Sequence, residues 1–113
     1  MNSPSKKLVI CRTADVEEGE FATRIVVDDV AYAVYHLGDR YYVSVDMCSH
    51  GPGSLGEGTI IGEEIECPFH QGRFHIPTGK PTLPPCTEPV RVWTGRLDGD
   101  QIWIDPDEAP PQG

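Results

Sequence analysis

A chain of 113 residues has room for one hydrophobic core and no second, and its 12 Gly and 11 Pro leave few uninterrupted stretches for long helices. Its 18 carboxylates against 9 Lys plus Arg make nucleic acid an improbable partner, because phosphate would be repelled. The apolar run Leu8 to Cys11 is too short for a signal peptide or a membrane span, so the chain is expected to work in the cytoplasm and away from membranes.

Leu8 to Cys11 reads as a first strand, followed by a polar connection from Ala14 to Glu20 with at most a short turn near residues 14 to 18. Phe21 to Val27 and Val30 to His36 alternate as half-buried strands do, and Asp28-Asp29 joins them as a hairpin. Leu37-Gly38-Asp39-Arg40 turns the chain into a further strand, Tyr41 to Val45. Thr59-Ile60-Ile61 and Ile65-Glu66 flank Gly62-Glu63-Glu64 as a second hairpin, and Arg73 to Ile76 is another short strand. Pro77 to Pro81 turns again, and Leu83-Pro84-Pro85 reads as a stiff loop. Val90 to Trp93 and Gln101 to Ile104 form a last hairpin whose two Trp are expected to enlarge the core. From Pro106 onward a frayed tail is expected. Many short strands predict an all-β fold, an antiparallel β-sandwich or barrel, in a single domain over 1–113.

Two of these strand ends carry unusual chemistry. Cys48-Ser49-His50 follows the strand ending at Val45, and sixteen residues later Cys67-Pro68-Phe69-His70 follows Ile65-Glu66. Each arm offers one sulfur and one imidazole nitrogen from a turn-prone loop, with Gly51-Pro52-Gly53 after the first and Gly72 after the second. A hairpin between the arms explains how ligands so far apart in sequence converge. Two Cys and two His form an ordinary tetrahedral zinc set, so a structural zinc-binding module is one reading. The spacing weighs against it, since zinc sites usually pair like with like and here each arm mixes the two types.

The pattern Cys-x-His, sixteen residues, Cys-x-x-His resembles the Rieske [2Fe–2S] proteins, and especially the small ferredoxins of bacterial aromatic-ring-hydroxylating dioxygenases. The resemblance covers the whole chain. It implies a Rieske-type base of stacked sheets with an inserted cluster-binding subdomain near residues 46–86, and a third loop at Leu83-Pro84-Pro85 lying across the cluster. It further implies that Cys48 and Cys67 hold the inner iron of one [2Fe–2S] cluster while His50 and His70 hold the outer one. Replacing two thiolates by neutral imidazoles removes negative charge from the cluster and makes reduction easier.

The implied role is that of a one-electron carrier in aromatic hydrocarbon catabolism, not an enzyme in its own right. It would take electrons from an NAD(P)H-dependent flavoprotein reductase and pass them, as a monomer, to a terminal aromatic-ring-hydroxylating oxygenase. The ferredoxin of a diiron aromatic monooxygenase and the small Rieske subunit of a nitrite reductase share the same chemistry and differ only in partner. High-potential Rieske proteins carry a disulfide-forming Cys in each ligand loop and hydroxyl donors after the second. Here Gly53, Phe69, Gly72 and Phe74 occupy those places and can supply neither, which predicts a potential near the low end, at about −150 mV.

The remaining candidates carry blander expectations. Cys11 and Cys86 are expected to be buried thiols, since disulfides are rare in the cytoplasm. His36 and His75 are expected to pack on strands or the surface. Glu57, Glu63, Glu64 and Glu66 between the arms, and Asp98, Asp100, Asp105, Asp107 and Glu108 near the end, are either solvated faces or a docking field for a basic partner.

Overall fold

The alternating runs become two antiparallel sheets in a computed structural model that describes residues 7–16, 21–47, 53–68, 71–84 and 88–108. The larger sheet contains β1 (Leu8–Arg12), β2 (Thr23–Val27), β3 (Val30–Leu37), β4 (Arg40–Val45), β9 (Val92–Asp98) and β10 (Gln101–Ile104), in the order β1-β10-β9-β4-β3-β2. Its outer strands β1 and β2 approach within 8 Å of each other, which curls the sheet toward a barrel. The smaller sheet lines up β5 (Thr59–Ile61), β6 (Glu64–Glu66), β7 (Arg73–His75) and β8 (Pro81–Leu83) in sequence order.

Turn chemistry sets the registers. Asp28 and Asp29 both take positive φ, +51° and +68°, and pair Val27 with Val30; two left-handed residues match the twist of the strands they join, and Asp tolerates that region better than most side chains. Gly38 at φ +62° does the same between β3 and β4.

The middles of β3 and β4 and the start of β9 at Val92-Trp93 are buried on both faces, which is what lets the smaller sheet attach. Val34, Val43 and Trp93 point into the curl of the larger sheet with Ile10, Ile102 and Ile104. Ala33, Tyr35 and Val92 point the other way, against Leu55, Ile60, Ile65, Cys67, Phe74 and Ile76. The alternation of these strands therefore feeds two cores where the chain length predicts one, because the middle of the larger sheet buries apolar side chains on both of its faces. Tyr35 keeps its hydroxyl satisfied inside the second core through Ser44 Oγ at 2.8 Å.

Several expectations change. The segment read as turn and stiff loop contains β8, which pairs with β7; Pro81 is tolerated because it starts an edge strand. The strand read as Val90 to Trp93 begins at Val92 and runs to Asp98, lengthened by its ladders to β4 and β10. Only one Trp enters a core. Ile102 and Ile104 face inward, so Trp103 faces outward, where Lys7 (5.3 Å) and Arg96 (5.7 Å) lie over its ring. Residues 105–108, which include the described beginning of the segment read as frayed, are docked; residues 109–113 lie outside the described residues. Trp93 Nε1–H donates to the Pro106 carbonyl at 3.3 Å, the Arg91 guanidinium donates to the Glu108 carbonyl, and Glu108 accepts from Thr94 N–H at 3.3 Å. The expected turn after the first strand is a 3-10 helix over Thr13–Asp15. Among the described residues no helix is long and apolar enough to cross a membrane.

Candidate metal centre

The first arm leaves the end of β4, and Asp46 organises its base. The Asp46 main chain accepts from Leu55 N–H at 2.7 Å, and Met47 bridges to Ser54, so the chain returns next to where it left. Asp46 is 6% exposed, and its carboxylate accepts from Ser54 Oγ at 2.8 and 2.9 Å, Gly56 N–H at 2.8 Å and Arg24 Nε–H at 3.2 Å. The Arg24 cation and the Ser54 and Gly56 donors thus satisfy the hydrogen-bonding capacity of the buried carboxylate. Gly56 is required by this packing. A Cβ there would lie 2.7 Å from Arg24 Cα and 2.7 Å from Asp46 Oδ1. A Gly56→Ala chain is expected to lose about 1–3 kcal/mol of stability by denaturant titration, and an unchanged midpoint would show that the loop gives way freely.

The second arm leaves β6 at Cys67, which is fully buried. Cys67 N–H donates to the Gly72 carbonyl at 2.8 Å, and Gln71 at φ +61° turns the chain back into β7. The bases of both arms meet in one core, where Leu55 from the first packs in the same cluster as Cys67 and Phe74 from the second. The third loop also starts at this end of the molecule, since Leu83 pairs with Arg73 just beyond the second arm. Cys48, His50 and His70 lie outside the described residues, as do Phe69, Pro85 and Cys86. A thiol-bearing residue anchored at a strand end and shielded from water suits the sulfur side of a cluster site.

The acidic residues between the arms are less bare than their sequence suggests. Arg73, distant in sequence from β6's start but beside it in the sheet, lies 3.6 Å from Glu64 and 3.4 Å from Glu66, and His75 Nε2 lies 3.5 Å from Glu63. Asp98 pairs with Lys7, Asp100 with Arg12 and Glu108 with Arg96. A docking field built from these groups is correspondingly weaker than the sequence implied. Both described histidines take packing roles. His36 stacks on Tyr41 at 4.3 Å, and His75 Nδ1 bonds to Thr78 Oγ1 at 2.8 Å.

Cys11 is half-buried, and its pKa is pushed up to about 11 from 9.0, chiefly by burial and secondarily by the Asp15 charge. Its thiol is thus protonated at neutral pH and inert as a nucleophile. Between pH 9 and 11 the folded chain holds this proton more tightly than the unfolded one, so the thiol's contribution to stability falls as pH rises through that window. Alkylation of Cys11 in the folded protein is expected to be slow at pH 8; rapid labelling there would contradict this environment.

The family model for the Rieske [2Fe-2S] domain matches residues 6–94, a span that contains both arms. The chain belongs to this Rieske family. It is 38% identical over 97 residues to ferredoxin CarAc of Metapseudomonas resinovorans, covering 86% of this chain and 91% of the relative. It is 40% identical over 97 residues to the ferredoxin component of the p-cumate 2,3-dioxygenase system of Pseudomonas putida, covering 85% and 82%. Among solved structures it resembles the complex of reduced oxygenase and oxidized ferredoxin in carbazole 1,9a-dioxygenase, with a TM-score of 0.79, 34% identity, and coverage of 96% of this chain and 100% of that one. This Rieske chain thereby takes a [2Fe–2S] cluster as its cofactor, and the zinc reading is set aside.

Gly53 and Gly72 are buried and carry no side chain to donate, and fully buried Phe74 is a hydrocarbon that can donate no hydrogen bond either. Sequence reasoning missed the cradle around Asp46. Its members Arg24, Asp46, Ser54 and Gly56 come from separate segments, and no periodicity or spacing links Arg24 to a loop that begins two strands later.

Proposed function

We propose that this Rieske ferredoxin carries single electrons from an NAD(P)H-dependent flavoprotein reductase to a terminal aromatic-ring-hydroxylating oxygenase, with Cys48, His50, Cys67 and His70 holding its cluster. The observation that carries this reading is the family match across both arms, joined to relatives that are ferredoxin components of dioxygenase systems over nearly their full length. Bound there, a [2Fe–2S] cluster supplies reversible one-electron chemistry. The chain's own residues set its terms. Cys48 and Cys67 would provide the anionic ligands, and His50 and His70 the neutral imidazole ligands, of that cluster.

The ferredoxin contributes no substrate chemistry; oxygen and the aromatic substrate meet in the oxygenase. Support for that partner comes from the solved relative, a complex between ferredoxin and oxygenase. Residues 46–86 act as the cluster-binding subdomain, the protein works in the cytoplasm, and it docks as a monomer. Reconstitution tests the assignment. With a flavoprotein reductase and a Rieske oxygenase of the carbazole or cumate type, this chain should be reduced by NAD(P)H and reoxidised in proportion to substrate hydroxylated. A chain that neither component reduces or reoxidises is not a carrier for such a system.

A further inference from the structure

We propose that Asp46 and Arg24 form a positioning pair for the cluster, Asp46 by fastening the two ends of the first ligand loop together and the pair by setting the charge beside it. This rests on the reading that Cys48 and His50 are ligands. Asp46 stands two residues before Cys48 in the sequence; its N–H donates to the Ala31 carbonyl on β3 at 3.3 Å, and beyond that bond and Arg24 the groups it binds, Ser54, Leu55 and Gly56, lie on the returning side of that loop. Its main-chain carbonyl holds Leu55, and its carboxylate holds Ser54 and Gly56. Together with the Met47–Ser54 bridge, these bonds join the two ends of the ligand-bearing segment. Groups that orient metal ligands from behind commonly change metal affinity by about 10–100-fold when removed.

The electrostatic half of the inference follows from burial. Asp46 carries a charge that water screens poorly, and its counter-charge comes from Arg24 Nε at 3.2 Å on β2, whose side chain is 48% exposed. A cleft of about 640 Å³ lined by Arg24, Val30, Asp46, Met47 and Glu57 runs past the pair, so Arg24 can be replaced without repacking either core. Reduction of the cluster adds one negative charge, and the pair's net charge therefore biases it. Removing the cation leaves a buried anion and disfavours reduction. Removing the anion leaves a cation and favours it.

The test is a redox titration, followed by electron paramagnetic resonance, of the cluster-loaded wild type, Arg24→Gln, Arg24→Lys and Asp46→Asn, with sulfide content and the rate of cluster loss measured alongside. Arg24→Gln is expected to lower the midpoint, Asp46→Asn to raise it, and Arg24→Lys to return it toward wild type. Asp46→Asn is also expected to lose its cluster about tenfold faster. If Asp46→Asn cannot retain a cluster long enough to titrate, the sign for Arg24→Gln decides alone, with a fall supporting the pair and a flat or raised midpoint overturning it. Midpoints that move in the same direction, or not at all, in variants retaining sulfide overturn the inference. Absence of sulfide from the wild type would instead overturn the ligand assignment beneath it.

Discussion

A Cys67→Ala chain will purify without visible colour, with about tenfold less iron and acid-labile sulfide than the wild type, while its strand content is kept. The Cys67 side chain is fully buried, yet its part in the backbone is an N–H bond to the Gly72 carbonyl that alanine retains. Alanine is smaller by little more than the sulfur, so the second core loses little contact. Cluster loss and fold loss are thereby separable at this position. The control is Cys11→Ala on β1, which sits at the far edge of the larger sheet and should keep full colour. Wild-type iron in the Cys67→Ala chain would show that the sulfur side of the site is built from other residues.

Truncating Phe74 to alanine is expected to cost about 3–5 kcal/mol, read as a shift in the denaturant midpoint of the cluster-loaded protein. Phe74 is the largest side chain the smaller sheet contributes to the second core, which it shares with Ile65, Cys67 and Ile76 and with Ala33, Tyr35 and Val92 of the larger sheet. Two strands of three residues, β6 and β7, cannot close over the cavity it would leave without losing their own ladder. The same substitution should weaken retention of the cluster, since Phe74 and Cys67 share that core. A loss below about 1 kcal/mol would mean that the smaller sheet collapses around the gap at little cost.

How much of this was legible beforehand depends on how local the signal was. The hairpins of β2 with β3 and of β5 with β6 follow from alternation and turn residues a few positions apart. The two proposed ligand arms stand out in the sequence for the same reason, because each is a contiguous triplet or quartet, although of the four proposed ligands only Cys67 lies among the described residues. What escaped depends on partners distant in sequence. β8 is a strand because β7 offers it an edge, and residues 105–108 are docked because Arg91, Trp93, Thr94 and Arg96 reach them from β9 and the residue before it. Arg73 neutralises Glu64 and Glu66 across a ladder, so a charge run that looks bare along the chain is paired in space. The outward face of Trp103 lay in the alternation of Ile102 and Ile104, and a preference for burying large aromatics obscured it.

The potential follows from the same local reading. With no side-chain donor at Gly53, Gly72 or Phe74, the midpoint is expected at about −150 mV, and a value above zero would require donors that these positions do not supply. The account as a whole stands on the identity of what the two arms hold. The direct measurement is acid-labile sulfide and iron per chain, taken on freshly purified protein together with the paramagnetic resonance spectrum of its reduced form. About two of each per chain, with the spectrum of a mixed thiolate and imidazole cluster, is the predicted result. Zinc in place of iron, or iron without sulfide, would contradict it.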